Sequence, residues 1–270
     1  MRLHWREAGD PLASPVVWIH GGSVEDSSMM VPDLEPFFPR LRALFPDTRG
    51  HGLSSRFERP QEYTYARKAE DLLLWIDALG IPRAVWGGAS MGAALSLWLA
   101  AHHPERVRAV VSISGPPYAP TEEDRRWWAS HRHLIESGRF DLYLDANVRM
   151  RMGEDALARF KSRPDRYEDV IRTLRRHSVA SLLALLDETY SRTEWLVDCA
   201  RIRCPVQIIA GGRDHFPSVG MSRRLAETIP GARLHVVAEG PHFPNRSHRA
   251  EVQDVIGAFL ARIGFWREGG

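Results

Sequence analysis

The stretch that decides the fold is AVWGGASMGAALSLWLAAHHP, residues 84–104. A short apolar run precedes its serine, and a longer apolar segment closed by Pro104 follows, which predicts a strand, a tight turn and a helix. Gly88 and Gly92 flank Ser90 in the pattern G-x-S-x-G, whose turn leaves no room for flanking side chains. The Ser90 hydroxyl would lie at the helix N-terminus, where free N–H groups favour negative charge. The stretch therefore predicts a serine nucleophile.

The segments around this stretch alternate between short apolar runs and longer amphipathic ones. VVWIHGG (16–22) is a continuous apolar run ending in glycines, which is typical of a strand buried on both faces. Residues 65–79 carry apolar side chains at helical spacing and end at Gly80. The alternation predicts an α/β fold, a mostly parallel sheet flanked by helices. The remaining predicted strands lie within 42–52, 107–115, 205–212 and 232–237, and the remaining predicted helices outside the insertion are 91–103, 222–229 and 249–263.

The alternation stops at the Gly-Pro-Pro sequence of residues 115–117. From about residue 118 to residue 202 no strand is evident, and the pattern predicts separate helices over 122–137, 139–152, 165–176 and 179–190. The sheet pattern then resumes with PVQIIAGG at 205–212. We therefore expect one α/β core built from residues 1–117 and 203–270, interrupted by an all-helical cap over residues 118–202.

Composition and charge exclude several classes of protein. The 36 basic and 34 acidic residues of this 270-residue chain leave a net charge of +2, so a nucleic-acid partner is not expected. The N-terminus lacks the apolar run of a signal peptide, and no stretch approaches the ~18 apolar residues of a membrane span. Cys199 and Cys204 are too few for a disulfide framework. These features favour a cytoplasmic protein without a membrane partner, and they are compatible with a homodimer.

Five motifs, in order along the chain, carry a resemblance to a known family. Besides the serine turn, they are HGG at 20–22, PDTRGHGLS at 46–54, GGRDHFP at 211–217 and GPHF at 240–243. With these motifs the sequence resembles the α/β-hydrolase superfamily, and the resemblance covers nearly the whole chain. It implies a lid inserted after the family's sixth strand. The family's first strand is expected to be missing or vestigial, since the chain starts close to the second.

The resemblance also implies which residues complete the site. The family orders its triad as serine, acid and histidine, with the acid and the histidine on loops after the last two strands. Of the twelve histidines, His242 follows the predicted strand 232–237, and Asp214 follows the predicted strand 205–212. An acid there would orient the imidazole and balance the imidazolium formed during attack. Ser90, His242 and Asp214 are therefore the expected nucleophile, base and orienting acid.

Backbone N–H groups are the expected donors to an oxyanion. One is the N–H of Met91, the residue after the nucleophile. The other resembles the family's position after His-Gly, which is Gly22, although Ser23 could contribute its N–H or hydroxyl. No H-E-x-x-H pattern or similar cluster is present, so neither a metal nor a cofactor is expected.

Two further segments lie beside the implied site. Loop 46–54 is expected to support it, with Asp47 and Arg49 hydrogen-bonded internally. The inserted helices carry aromatic residues, most of them expected to pack and a minority to line an apolar pocket over Ser90. Their many arginines are expected on a solvated face. An apolar pocket would favour neutral short-chain esters, because the desolvation of a charged substrate would go uncompensated.

These residues predict a serine hydrolase that cleaves small, mostly apolar carboxylic esters or lactones. Three alternatives stay open: a hydrolase of carbon–carbon bonds in ring-fission products, a cofactor-free haloperoxidase or perhydrolase, and a non-catalytic ligand receptor on the same fold. Hydrolases of ring-fission products often carry tryptophan after the catalytic histidine, where this chain has Phe243. Haloalkane dehalogenase chemistry is disfavoured because its nucleophile is an aspartate.

Overall fold

The computed structural model describes residues 1–22 and 25–266, and these residues contain a seven-stranded sheet. The strands are β1 (Trp5–Gly9), β2 (Pro15–Ile19), β3 (Arg42–Pro46), β4 (Ala84–Ala89), β5 (Val107–Ile113), β6 (Val206–Gly211) and β7 (Arg233–Val237). Their order across the sheet is β1-β3-β2-β4-β5-β6-β7. Every neighbouring pair is parallel except β1 and β3.

The same part of the chain contains the α-helices and four short 3₁₀ helices, which cover Ser27–Met29, Glu35–Arg40, Pro60–Tyr63 and Pro104–Arg106. The α-helices are α1 (Val31–Leu34), α2 (Tyr65–Ala78), α3 (Met91–His102), α4 (Glu122–Glu136), α5 (Phe140–Met152), α6 (Glu154–Lys161), α7 (Pro164–Leu174), α8 (Val179–Ser191), α9 (Leu196–Cys199), α10 (Val219–Thr228), α11 (Pro244–Ser247) and α12 (Arg249–Arg262). None of these described helices has both the length and the apolar composition that crossing a bilayer requires.

Helices cover both faces of the sheet, so its central strands are buried throughout. Val17 and Ile19 of β2 pack into a cluster with α2, α3 and α10. Val16 and Trp18, one residue out of phase, pack into a second cluster with α1 and α12. This alternation is the two-residue period of a strand. It explains why the strand sequences are continuous apolar runs, since each face of the sheet meets a helical layer.

The helices between β5 and β6 form a third packing unit. Helices α4 to α8 surround their own apolar cluster, which includes Trp128, Tyr143 and Leu186. The two ends of the segment meet, because the N–H of Trp195 donates to the carbonyl oxygen of Pro117 at 2.9 Å. The segment therefore leaves and re-enters the sheet at two paired strands.

The structure confirms the predicted fold class, a mostly parallel sheet flanked by helices. Strand β1 and helices α1, α6, α9 and α11 were not predicted. Strand β1 lies at the edge of the sheet, and four of its five residues are exposed, so its sequence WREAG shows no apolar alternation. Helix α6 has eight residues and the other three helices have four each, too short for a clear periodic pattern.

Replacing Gly88 by alanine should destabilise the fold more than the same change at Gly80. Gly88 has a φ of 148°, and a Cβ there would lie 2.0 Å from the carbonyl oxygen of Ile19 in β2. Gly80 has a φ of 69°, but a Cβ there would meet nothing within 4 Å. Gly80→Ala therefore measures the backbone strain alone, which costs about 1–2 kcal/mol. In urea titrations, Gly88→Ala should lower the free energy of unfolding by about 2 kcal/mol more than Gly80→Ala does. Equal losses would contradict this account.

Candidate active site

The turn between β4 and α3 holds Ser90 in a sparsely populated backbone conformation, with φ 52° and ψ −115°. The N–H of Ser90 donates to the carbonyl oxygen of Ile113 at 2.8 Å, and its carbonyl accepts from the N–H of Ala94 at 2.9 Å. A Cβ on Gly92 would lie 2.3 Å from the carbonyl oxygen of Ile19. The glycine therefore lets the first turn of α3 approach β2, and the flanking strands fix the strained serine.

The three side chains that the family resemblance implied meet at the C-terminal edge of the sheet. Nε2 of His242 lies 2.9 Å from Oγ of Ser90, and its Nδ1 lies 2.8 Å from Oδ2 of Asp214. Asp214 is 9% exposed and His242 is 3% exposed, so water competes little for their contact. An imidazole that donates from Nδ1 to the carboxylate presents Nε2 as an acceptor to the hydroxyl. Nε2 of His242 is therefore placed to accept the proton of the Ser90 hydroxyl.

The loops that carry Asp214 and His242 follow neighbouring parallel strands and are joined to each other. The N–H of Arg213 donates to the carbonyl oxygen of Gly240 at 2.9 Å. The N–H of Phe216 donates to Oδ1 of Asp214 at 3.0 Å, which leaves Oδ2 for the histidine. The position of the acid relative to the base is therefore set by backbone contacts rather than by flexible side chains.

A buried carboxylate, Asp33 in α1, ties the His242 loop to the sheet. Its Oδ2 accepts from Nε1 of Trp18 at 3.0 Å and from Nδ2 of Asn245 at 2.9 Å. Asn245 lies three residues after His242 in the chain. Burial raises the pKa of Asp33 to about 6, although both hydrogen bonds oppose the rise.

The expected oxyanion donors lie next to each other. Met91 is the first residue of α3, so its N–H has no partner within the helix. A Cβ on Gly22 would lie 3.6 Å from Cβ of Met91. The N–H of Gly21 donates to Oε2 of the buried Glu25 at 2.9 Å and so holds the chain just before Gly22. Ser23, the alternative donor, lies outside the described residues.

Loop 46–54 is hydrogen-bonded internally and to its neighbours, as expected for a loop with a structural role. The carboxylate of Asp47 accepts from the N–H of Ser27 at 2.7 Å and from the N–H of Leu53 at 2.9 Å. The guanidinium of Arg49 donates to both oxygens of Asp71, at 2.6 and 2.8 Å. Both charged side chains are thus occupied in holding the loop against α2 and the 3₁₀ helix before α1.

Other buried histidines take part in structural contacts. Nε2 of His20 accepts from the N–H of Thr48 at 3.0 Å, and the ring of His20 lies 4.6 Å from the ring of His51. Burial, followed by repulsion from His20, holds the pKa of His51 well below its ordinary value. Over the described part of the chain, no three histidine, cysteine or acidic side chains are grouped so as to hold a metal ion.

A cavity of about 610 Å³ opens above the serine, between the sheet edge and the inserted helices. Ser90, Met91 and His242 form its floor. The inserted helices contribute apolar side chains to its wall, namely Leu144, Val148, Phe160, Val170 and Leu185. Cavities of this size accommodate small molecules.

Five arginines of the insertion line this cavity. With two from the core, the lining arginines are Arg151, Arg159, Arg163, Arg166, Arg192, Arg246 and Arg249, beside the four carboxylates of Glu25, Asp26, Asp124 and Asp169. Arg159, Arg163 and Arg166 are exposed, so these three are in contact with solvent and also line the cavity. The apolar faces of the inserted helices pack against one another in the insertion's own cluster. Polar side chains of these helices are therefore left to line the cavity above the sheet edge.

Comparison with known proteins agrees with the fold. A sequence profile of the α/β hydrolase fold matches residues 14–248, so the chain belongs to the family of that fold, and it is a hydrolase. A protein named for carbamate hydrolysis, RutD of Caulobacter sp. strain K31, is 27% identical over 83% of this chain and 87% of its own length. The 3-oxoadipate enol-lactonase 2 of Acinetobacter baylyi is 29% identical over 80% of this chain and 78% of its own. The crystal structure of an enol-lactonase from Burkholderia xenovorans superposes with a TM-score of 0.82, 25% identity and 96% of each chain covered.

Replacing Asp214 by asparagine should lower kcat by about 10³–10⁴ and leave KM nearly unchanged. The amide keeps the size of the carboxylate but favours the wrong imidazole tautomer and cannot balance the imidazolium. Steady-state kinetics on a p-nitrophenyl ester would measure the effect. Asp254→Asn, an exposed change of the same kind in α12, serves as the control. An effect confined to KM would show that Asp214 binds substrate instead.

Replacing Asp33 by asparagine should remove part of the pH dependence of stability. The pKa of Asp33 rises from 3.8 to about 6 on folding, so the folded protein holds this proton more tightly than the unfolded chain. Stability that depends on Asp33 is therefore present at low pH and is lost as pH rises from about 4 to about 6, by about 3 kcal/mol. Urea titrations across this range should show the wild-type free energy of unfolding falling relative to that of the variant. Parallel curves would contradict the effect.

Proposed function

We propose that the chain hydrolyses small carboxylic esters or lactones through an acyl-enzyme on Ser90, with His242 as the base and Asp214 as the orienting acid. The observation that carries this proposal is the pair of short contacts, Ser90 to His242 at 2.9 Å and His242 to Asp214 at 2.8 Å, at the floor of a cavity. A purely structural serine would need neither the strained backbone nor access to a cavity of small-molecule size.

Acylation follows from the geometry. As Oγ of Ser90 bonds to the substrate's carbonyl carbon, its proton passes to Nε2 of His242, and the carbonyl π electrons move onto oxygen. Asp214 stabilises the imidazolium that results. When the tetrahedral intermediate collapses, the carbon–oxygen bond to the leaving group breaks, and Nε2 of His242 returns the proton to the departing oxygen.

Deacylation repeats the same steps with water. His242 takes a proton from the water as it attacks the acyl carbon, and then gives that proton to Oγ of Ser90 as the acyl–serine bond breaks. The products are a carboxylic acid and an alcohol, joined in one hydroxy acid when the substrate is a lactone. The enzyme ends with the serine and the neutral imidazole with which it began.

Two neighbouring elements support this chemistry. The N–H groups of Met91 and Gly22 are the proposed donors to the oxyanion, and each donor that is fixed before charge develops contributes about 3–4 kcal/mol. We infer that residues 118–202 act as a cap over the core formed by 1–117 and 203–270. Such a cap encloses the substrate between the helices and the sheet edge, where ligands of open α/β sheets bind.

The names of similar proteins favour carbonyl substrates. The relatives from Acinetobacter baylyi and Caulobacter are named for the hydrolysis of a lactone and of a carbamate. In both bond types the carbon under attack is a carbonyl carbon with a heteroatom leaving group.

Replacing Ser90 by alanine should remove nearly all turnover of p-nitrophenyl acetate and of a simple lactone, because no nucleophile remains. The expected loss in kcat is at least about 10³-fold, with a residue of activity from the oxyanion donors. A fluorophosphonate probe should label wild-type Ser90, as located by peptide mapping, and should not label the variant. Ser130→Ala, an exposed change in α4, is the matched control for both measurements.

Retention of more than about a tenth of wild-type kcat by the alanine variant would identify another nucleophile. Labelling at a serine other than Ser90 would lead to the same conclusion. Circular dichroism of the variant would establish that it is folded, since the change removes a single hydroxyl group.

A further inference from the structure

Four arginines from two distant parts of the chain meet at the cavity that contains Ser90. Arg163 and Arg166 lie at the start of α7 in the insertion, whereas Arg246 lies in α11 and Arg249 begins α12 in the core. All four line the cavity. Arg163, Arg166 and Arg249 are largely exposed, and Arg246 is half-buried. We refer to these four residues as the arginine rim.

The rim carries more positive charge than its surroundings balance. Among the described ion pairs, Glu25 is the one carboxylate within 4.0 Å of a rim guanidinium, and it lies 2.6 Å from Arg246. The nearby Asp169 pairs instead with Arg172 at 2.8 Å. Burial, followed by repulsion from Arg246, Arg163 and Arg249, lowers the pKa of Arg166, and the nearby Glu25 opposes this shift.

Several arginines elsewhere on the insertion are paired. Arg132 donates to Glu136 and Asp187, and Arg149 donates to Glu154. A solvated helix face of this kind is stabilised by its own acidic neighbours. Arg163 and Arg166 lack such partners in the described part of the chain, although the same helix supplies one to Arg172. What sets Arg163 and Arg166 apart from other unpaired arginines of the insertion, such as Arg125 and Arg175, is their place in the cavity lining.

Arg246 brings the rim close to the reacting groups. Its guanidinium lies 4.3 Å above the ring of Phe243, and that ring lies 4.6 Å from the ring of His242. Nη2 of Arg246 pairs with Glu25, whereas its Nε is buried and makes no hydrogen bond in the described structure. A buried donor without a partner is costly, and an acceptor that enters the cavity would satisfy it.

We propose that the arginine rim binds a carboxylate carried by the substrate, so that the enzyme prefers esters or lactones that bear a free carboxylate group. This inference rests on the hydrolysis proposed for Ser90 and specifies its substrate class. A guanidinium fork binds a carboxylate through two parallel hydrogen bonds, and several such forks offset the desolvation of the anion. The preference is thus the reverse of the one expected for an apolar pocket.

A matched pair of substrates tests the preference. Mono-p-nitrophenyl adipate carries a free carboxylate at the end of its acyl chain, and its methyl ester is the same molecule with that charge removed. After subtraction of the uncatalysed rate, the wild-type kcat/KM for the anionic ester should exceed that for the capped ester by about tenfold or more. The ratio should fall as salt rises from about 0.01 to 1 M, because the rim is exposed.

The double variant Arg163→Gln/Arg166→Gln assigns the preference to the rim. The ratio of kcat/KM values, anionic over capped, should fall about tenfold in this variant. Arg175→Gln, an exposed change at the end of the same helix and outside the cavity lining, should retain the wild-type ratio. Both variants change exposed side chains, so their folding is not at risk.

The outcomes separate the two proposals. Ser90-dependent hydrolysis of both esters without a preference for the anion would overturn the rim and leave the proposed function intact. A preference that survives in the double variant would equally overturn the assignment to these residues. If neither ester is hydrolysed and the fluorophosphonate probe leaves Ser90 unlabelled, the proposed function itself is wrong.

Discussion

The close approach of the serine turn to strand β2 is the constraint on which the rest of the site depends. The carbonyl oxygen of Ile19 lies only 2.0 Å from where a Cβ on Gly88 would be and 2.3 Å from where a Cβ on Gly92 would be. Because both positions lack side chains, β4 and α3 pack directly against the neighbouring backbone, and Ser90 is forced into its strained conformation. The hydroxyl therefore has one location relative to the sheet, and the histidine must reach that location.

The sheet supplies the histidine and the acid in a comparable way. Parallel strands end at the same edge, so the loops after β4, β6 and β7 converge there. Asp214 and His242 are positioned by backbone bonds between their loops, and Asp33 anchors the second loop to β2 through Trp18 and Asn245. The geometry of the site is thus a property of the backbone, supported by one buried carboxylate.

The sequence was sufficient for the features that depend on local pattern or on order along the chain. The apolar runs and the glycines around Ser90 predicted the core strands, and the family order of motifs selected Asp214 and His242 for the positions where the structure brings them together. Strand β1 was missed because its pairing with β3, rather than its composition, makes it a strand. The role of Asp33 and the meeting of Arg163 with Arg246 were also invisible, since both depend on contacts between segments far apart in the chain.

The insertion begins and ends at neighbouring strands, and the bond between Trp195 and Pro117 closes it at its base. Its helices have their own apolar cluster, so the sheet does not depend on them for most of its packing. A substitution in these helices can therefore alter the wall of the cavity, and with it the choice of substrate, without disturbing the strand edge that holds the nucleophile.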